Sequence, residues 1–223
     1  MENLYWLFLF CAVSYFIGNV NFSIILSKSK IRTVASGNPG ATNMMRLYGF
    51  KMALLIFILD ALKGFVPALV GVLAFGGWGS ENGQIALYAC GLAAVLGHCF
   101  PVIYKFKGGK GISSIAGIFF AANPLVTLLV VASVGLYWAF FEYGAIASFF
   151  LVTFMVIWQG IDASVPVMAM LAGIYFLVWF THRTNIKRLI SGRENHASLL
   201  RKLKAKKLRK QHEAWKAEER NVS

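Results

Sequence analysis

Residues Ile112–Phe141, ISSIAGIFFAANPLVTLLVVASVGLYWAFF, decide how this chain folds. The run carries no charged side chain, so it belongs in an apolar medium. Asn123-Pro124 divides it. Proline has no backbone donor and disfavours helical geometry at the residue before it, so a helix break is expected there. That leaves Ile112–Ala122 and Leu125–Phe141, followed by a third apolar piece, Gly144–Trp158. Ile112–Ala122 is too short to cross ~30 Å of hydrocarbon as a straight helix. It is either a half-span or a re-entrant piece, and both are tolerated where protein covers the backbone.

Outward from this region, Leu4–Leu26, Phe50–Phe75, Gln84–Tyr104 and Ala163–Phe180 each approach the ~20 apolar residues of a spanning helix. Charge then settles the count. The loop after the first span carries Lys28, Lys30, Arg32 and Arg46 without an acid, and the loop after the third carries Lys105, Lys107 and Lys110, again without one. Residues 181–223 hold 13 Lys and Arg against Glu194, Glu213, Glu218 and Glu219. The opposite ends carry only Glu2, Glu81 and Asp162. Basic loops stay in the cytoplasm, so the expected orientation puts the N-terminus outside and both basic loops and the tail inside. Ile112–Phe141 as one span would send the tail outside. Dividing it at Asn123-Pro124 returns the tail to the inside, with Glu142 the one exception to the charge pattern.

The expected fold class is therefore an all-α integral membrane protein. It has about seven transmembrane helices, one short or re-entrant pair, and a site made by cytoplasmic loops. Residues 1–194 form the membrane domain and 195–223 a basic cytoplasmic tail. If helical from Ser198, the tail sets Leu200, Leu203, Leu208 and Trp215 near one face. An amphipathic helix on the anionic leaflet and a solvated tail that serves topology are both open.

Composition agrees with a bilayer protein: 58% of the 223 residues are hydrophobic, above the ~45–50% of soluble domains. A net charge of +13 would suggest nucleic acid in a soluble chain. Here it reads as topology and as attraction for anionic substrates and membrane lipids, so no nucleic-acid partner is expected. Cys11, Cys90 and Cys99 lie in apolar segments without ligand spacing, which makes them packing residues. The first apolar run lacks a basic leader and a small-residue cleavage site, so it is expected to be a retained span.

Three motifs fall on the basic side. The first is Ser36-Gly37-Asn38-Pro39-Gly40-Ala41-Thr42-Asn43, with Arg46 beyond it. Small residues allow close approach of backbone amides to a ligand. Thr42 or Asn43 is expected to cap a helix whose N-terminus attracts phosphate, with Arg46 in its first turn as a guanidinium fork. The second is Gly97-His98-Cys99-Phe100-Pro101 leading to Phe106-Lys107-Gly108-Gly109-Lys110-Gly111, a glycine-hinged cationic nest. It is not a nucleotide loop, because Ile112 stands where Ser or Thr would follow. The third is His182-Arg183-Thr184-Asn185-Ile186-Lys187-Arg188-Leu189 with Gly192 and Glu194, where His182 and Asn185 share a face if helical. Within the second span, Asp60 and Lys63 are spaced to pair. The basic loops point to one polyanion site at the inner membrane surface.

These motifs resemble the acyl-phosphate-dependent glycerol-3-phosphate acyltransferase family, PlsY. Its pattern is a Ser-Gly-Asn-x-Gly-Ala-Thr-Asn loop with a downstream arginine. A Gly-His-x-x-Pro segment leads to Phe-Lys-Gly-Gly-Lys-Gly. A His-x-x-Asn-Ile-x-Arg-Leu segment precedes Gly-x-Glu. All three stand here in order. The departures are Ala35 for a frequent glycine, Thr184 for a frequent glutamate, and Ile112-Ser113-Ser114 for Val-Ala-Thr.

The resemblance implies transfer of an acyl group from acyl phosphate to the 1-hydroxyl of glycerol-3-phosphate, giving lysophosphatidic acid and phosphate at the cell inner membrane. It implies no metal, no cofactor and no CoA. The His-x4-Asp motif of thioester-dependent acyltransferases is indeed missing, since Ile103 follows His98 and Lys187 follows His182 at that offset. Functional coupling to a phosphate acyltransferase and to the next acyltransferase is the expected partnership. Ser36, Arg46 and one of Lys107 and Lys110 are assigned to glycerol-3-phosphate. Gly108, Gly109, Gly111 and Asn185 are assigned to the acyl phosphate and the oxyanion. Asn38, Gly40, Thr42, Asn43 and His98 complete the expected substrate-binding set, and Ser36, His182 and Asn185 the catalytic one. The base is either His182 or a phosphate oxygen of the donor. The competing expectation is a transporter for phosphate esters, which would line its midplane or both faces with cations.

Overall fold

The computed structural model describes residues 2–28, 30–34 and 36–194. The tail expected at 195–223 lies outside the described residues. Among the described residues the chain is helical and has no strand. The helices are α1 (Glu2–Asn19), α2 (Phe22–Leu26), α3 (Ala41–Tyr48), α4 (Phe50–Ala74) and α5 (Glu81–Cys99). They continue as α6 (Ile112–Ala122), α7 (Pro124–Phe141), α8 (Gly144–Gly160), α9 (Val165–Thr181) and α10 (Arg183–Ile190).

The deciding stretch breaks at Asn123-Pro124. Asn123 is extended, its Oδ1 accepts the Val126 N–H at 3.2 Å, and Pro124 opens α7, where its missing N–H costs nothing. The first apolar run also breaks: Asn21 caps α2 through the Ile24 N–H at 3.0 Å. Leu4–Leu26, Phe50–Ala74, Glu81–Tyr104 and Pro124–Phe141 are each long and apolar enough to cross a membrane. A fifth such segment forms if α9 and α10, bent by 56°, count as one, and α6 and α8 are shorter apolar helices.

Contacts sort the helix ends into two sets. At one end the Trp78 indole donates to the Ala121 carbonyl at 2.9 Å, joining the α4–α5 turn to the end of α6. Trp158, Gln159 and Asp162 share a cavity with Trp78 and Glu81 there. At the other end the Gly108 amide meets the Cys99 carbonyl at 3.0 Å, and Thr181 Oγ1 donates to the Lys110 carbonyl at 3.3 Å. Trp138 packs there on Met45 and Ala53. The chain therefore runs alternately between the two ends along α1 and α4 to α9. α6 does not turn back to the end it starts from.

α6 is central and buried through Ser114–Phe119. Small residues bring it against α4. A Cβ on Gly64 would stand 1.8 Å from the Ser114 carbonyl oxygen, and one on Gly117 would stand 1.9 Å from that of Ala61. This is how helices pack in lipid, where apolar burial between them gains nothing over lipid tails. Leu87, Tyr88, Val95, Ile115, Ile118, Phe119, Met155, Leu171 and Ile174 fill the interior. Leu4, Phe8, Leu125, Leu129, Leu136 and Phe140 face outward, an apolar surface suited to acyl chains.

Candidate active site

The loop between α2 and α3 carries the first motif. Asn43 is buried, and its amide donates to the Ile31 carbonyl at 3.1 Å and the Val34 carbonyl at 3.0 Å. That pins the loop and sets Ser36 and Asn38 on the cavity rim. The expectation that Thr42 or Asn43 caps α3 is corrected. The N-cap is the extended Gly40, which has no side chain to cap with, and both residues lie in the first turn. Arg46 consequently sits in the last turn of α3, not the first. The physical reason is that Asn43 serves loop carbonyls and leaves the helix start to a residue three positions earlier.

The glycine-rich loop folds back on the end of α5. The Gly108 amide donates to the Cys99 carbonyl at 3.0 Å and the Gly109 amide to the His98 carbonyl at 3.1 Å. No side chain fits at either position: a Cβ on Gly108 would lie 2.0 Å from the His98 carbonyl oxygen, and one on Gly109 2.1 Å from His98 Nε2. At these two residues of the expected nest, both amides bind protein carbonyls. Gly108 and Gly109 do not line the cavity, and neither does exposed Lys107, whose carbonyl accepts Arg32 Nη2 at 2.7 Å. Gly111, at φ +84°, starts α6 in a left-handed conformation that turns the chain inward, and with Lys110 it does line the cavity.

The third motif sits at the bend between α9 and α10. His182 is buried, and its Nδ1 lies 3.0 Å from the Val178 carbonyl. A carbonyl only accepts, so Nδ1 carries the proton and Nε2 holds the lone pair. Asn185 is placed by a chain of polar contacts. Lys110 donates to its Oδ1. Its own Nδ2 donates to Glu194 Oε1 at 2.5 Å, and Arg188 Nε meets Glu194 Oε2 at 3.0 Å. Burial lowers Lys110 to about 8, with Arg188 and Arg46 acting the same way and the Glu194 carboxylate opposing them. Burial likewise lowers Arg46, against the pull of Glu194.

These residues surround one cavity of about 310 Å³. Ser36, Asn38, Arg46, Lys110, His182, Asn185, Arg188 and Glu194 line its polar part. Gly40, Thr42, Asn43 and His98 also reach it. Phe57 of α4, Val131 and Val134 of α7 and Leu151 of α8 line an apolar part. Arg46, Lys110 and Arg188 come from three separate segments, so the polar part favours anions. The apolar part accepts a hydrocarbon chain. Among the described residues, His, Cys, Asp and Glu form no group of three or more arranged for a metal ion.

The sequence pattern missed the lining role of Trp138. Asp60 had a signal, a carboxylate at membrane depth. Arg188 and Glu194 belong to the third motif, their pairing across the bend follows from the fold, and nothing local marks Trp138.

The family profile described as "Glycerol-3-phosphate acyltransferase" matches residues 8–192. A protein of that name from Aquifex aeolicus (strain VF5) is 38% identical over 82% of this chain and 94% of its own length. One from Cupriavidus pinatubonensis is 35% identical over 84% and 94%. Two crystal structures of PlsY (YgiH), described as an integral membrane glycerol 3-phosphate acyltransferase, superpose on this chain. The glycerol 3-phosphate form has a TM-score of 0.80 at 36% identity, covering 88% of this chain and 98% of that one. The lysophosphatidic acid form has a TM-score of 0.76 at 36% identity, covering 87% and 96%.

Proposed function

This chain belongs to the glycerol-3-phosphate acyltransferase family, and on that premise we propose that acyl phosphate is its donor and that it works on the cytoplasmic face of the inner membrane. The enzyme is an integral membrane acyltransferase that esterifies glycerol-3-phosphate to lysophosphatidic acid. The observation that carries the donor assignment is the cavity itself. Three cationic side chains from separate segments, Arg46, Lys110 and Arg188, meet beside an apolar wall. Two phosphate groups repel each other, and that repulsion must be offset before the hydroxyl and the carbonyl can meet.

In this reaction the 1-hydroxyl oxygen attacks the acyl carbonyl and the C–O bond to phosphate breaks. The hydroxyl proton ends on the departing phosphate, either directly or through His182 Nε2. Arg46, Lys110 and Ser36 hold the glycerol-3-phosphate headgroup, and the donor chain lies against Phe57, Val131, Val134 and Leu151. Asn185 accepts from Lys110 and donates one Nδ2–H to Glu194. It therefore aims Lys110 at the substrates, and its second Nδ2–H serves the oxyanion role expected of it. Because phosphate is already a good leaving group, alignment and charge carry the catalysis. Orientation of the pair contributes ~7–11 kcal/mol and a donor to the oxyanion ~3–4 kcal/mol.

The concentration of Lys and Arg at the cavity end supports a cytoplasmic placement, with the N-terminus outside and seven crossings. A phosphate acyltransferase supplying the donor and a second acyltransferase consuming lysophosphatidic acid are its functional neighbours on this scheme. The donor is tested on purified protein in lipid. Phosphate release from acyl phosphate is expected to require glycerol-3-phosphate, with no turnover when an acyl thioester replaces the donor. Esterification from the thioester without any from acyl phosphate overturns the assignment.

A further inference from the structure

Beside the cavity, at membrane depth, lies a buried cluster that the reaction scheme has not used: Asp60, Lys63 and His98, all under 5% exposed. Lys63 Nζ stands 2.9 Å from Asp60 Oδ1, 3.0 Å from His98 Nδ1 and 2.6 Å from the Val20 carbonyl oxygen. An ammonium has three protons and no lone pair, so it donates to the Val20 carbonyl and to His98 Nδ1, and it pairs by charge with Asp60. The Val20 carbonyl is available because the chain breaks between α1 and α2, which strips it of a helical partner.

The distances fix a direction. A familiar arrangement would have the carboxylate accept Nδ1–H and leave Nε2 as a base. Here Asp60 Oδ1 is 3.8 Å from His98 Nδ1, beyond hydrogen-bond reach, and the ammonium occupies the nearer position. Nδ1 must therefore accept from Lys63, and in the neutral ring the proton resides on Nε2. This is the opposite tautomer to that of His182, whose Nδ1 meets a carbonyl. The His98 ring lines the cavity, with its Nε2 edge against Gly109, and among the described residues Nε2 meets no acceptor.

We propose that Lys63 is a positioning residue that fixes His98 as the Nε2–H tautomer, so that the imidazole presents a proton donor, not a base, to a phosphate oxygen of bound substrate. Asp60 balances the ammonium charge without competing for the ring. The proposal rests on the acyltransferase scheme above and gives His98 a sign within it. Its neighbour Gly109 must lack a side chain because that ring edge stands where a Cβ would.

The test is nitrogen NMR of full-length protein labelled with 15N-histidine in lipid nanodiscs. The His98 signals are those missing from His98→Gln. The wild type is expected to carry the proton on Nε2, and Lys63→Met to show a mixture of tautomers with kcat/KM about tenfold lower, as for one lost hydrogen bond. A proton on Nδ1 in the wild type overturns the proposal, as does an unchanged tautomer with unchanged kcat/KM in Lys63→Met. If Lys63→Met does not fold, the wild-type spectrum decides, together with two variants that mimic one ring nitrogen each. His98→Gln, whose amide reaches the Nε2 position, is expected to exceed His98→Asn in kcat/KM by about tenfold, and equal values overturn the proposal. Phosphate release requiring both substrates is measured on the same preparations, so the tautomer assignment and the enzyme scheme fail separately.

Discussion

Lys110 is the residue on which a pH dependence can be read most directly. Its ammonium is lowered to about 8 by burial, so it is cationic below that pH and loses its charge above it. Glycerol-3-phosphate is a dianion above a second phosphate pKa of ~6. Binding in the free enzyme should therefore be strongest between these values and weaken as pH rises through about 8. kcat/KM for glycerol-3-phosphate is expected to show a falling limb near that value, since it reports ionisations of the free enzyme. Lys110→Arg should move the limb upward while keeping much of the activity at neutral pH. A limb that stays in place would remove Lys110 from the phosphate site. At this scale, residue types were legible and their tasks were not. Ser36, Arg46, Lys110, His182 and Asn185 all line the cavity. Asn43 and Asn185, however, spend their amides on Ile31, Val34, Lys110 and Glu194, partners up to 75 residues away. No local pattern carries that information.

Among the elements, α6 is the one whose behaviour follows least from its own sequence. Eleven residues rise only ~16 Å as a helix, yet the segment connects the two ends of the bundle. It does so because the Lys105–Gly111 loop dips in at one end and Trp78 reaches Ala121 at the other. The close α4–α6 contact is the element's main support. Gly117→Ala would place a methyl 1.9 Å from the Ala61 carbonyl oxygen, whereas Gly160→Ala on α8 meets nothing within 4 Å. Overpacking of this kind costs about 1–3 kcal/mol. Thermal unfolding in detergent should therefore show a clear drop in Tm for Gly117→Ala and almost none for Gly160→Ala. Equal midpoints would mean that the contact does not support the fold. The helix break at Asn123 was visible beforehand because proline chemistry is local. The start of α3 was misplaced because its N-cap depends on where Asn43 is drawn by the preceding loop.

Across the whole molecule, charge is sorted by end. Lys28, Lys30, Arg32, Arg46, Lys105, Lys107, Lys110, Arg183, Lys187, Arg188 and Arg193 gather around the cavity end, while Glu81 and Asp162 mark the other. Such asymmetry orients a bundle and also attracts anionic substrates to its mouth. The corresponding measurement is accessibility of single cysteines, in a background lacking Cys11, Cys90 and Cys99, to a membrane-impermeant thiol reagent. Asn38→Cys and Arg193→Cys should react from the cytoplasmic side and Gly79→Cys from the other. Reaction of all three from one side would dismantle both the topology and the shared site.

By itself, the sequence determined that this is a helical membrane protein, that its chain breaks at Asn123-Pro124, which end is basic and which three motifs lie there. Those features depend on runs of neighbouring residues: hydropathy over a span, proline at a break, charge at its flanks. Only the tertiary structure decided which groups remain free to act. Packing brings the Cys99 and His98 carbonyls to the Gly108 and Gly109 amides, Asn185 to Lys110, and Lys63 to His98. A hydrogen bond across separate helices is set by the distance between them, and that distance follows from how every interface fits at once.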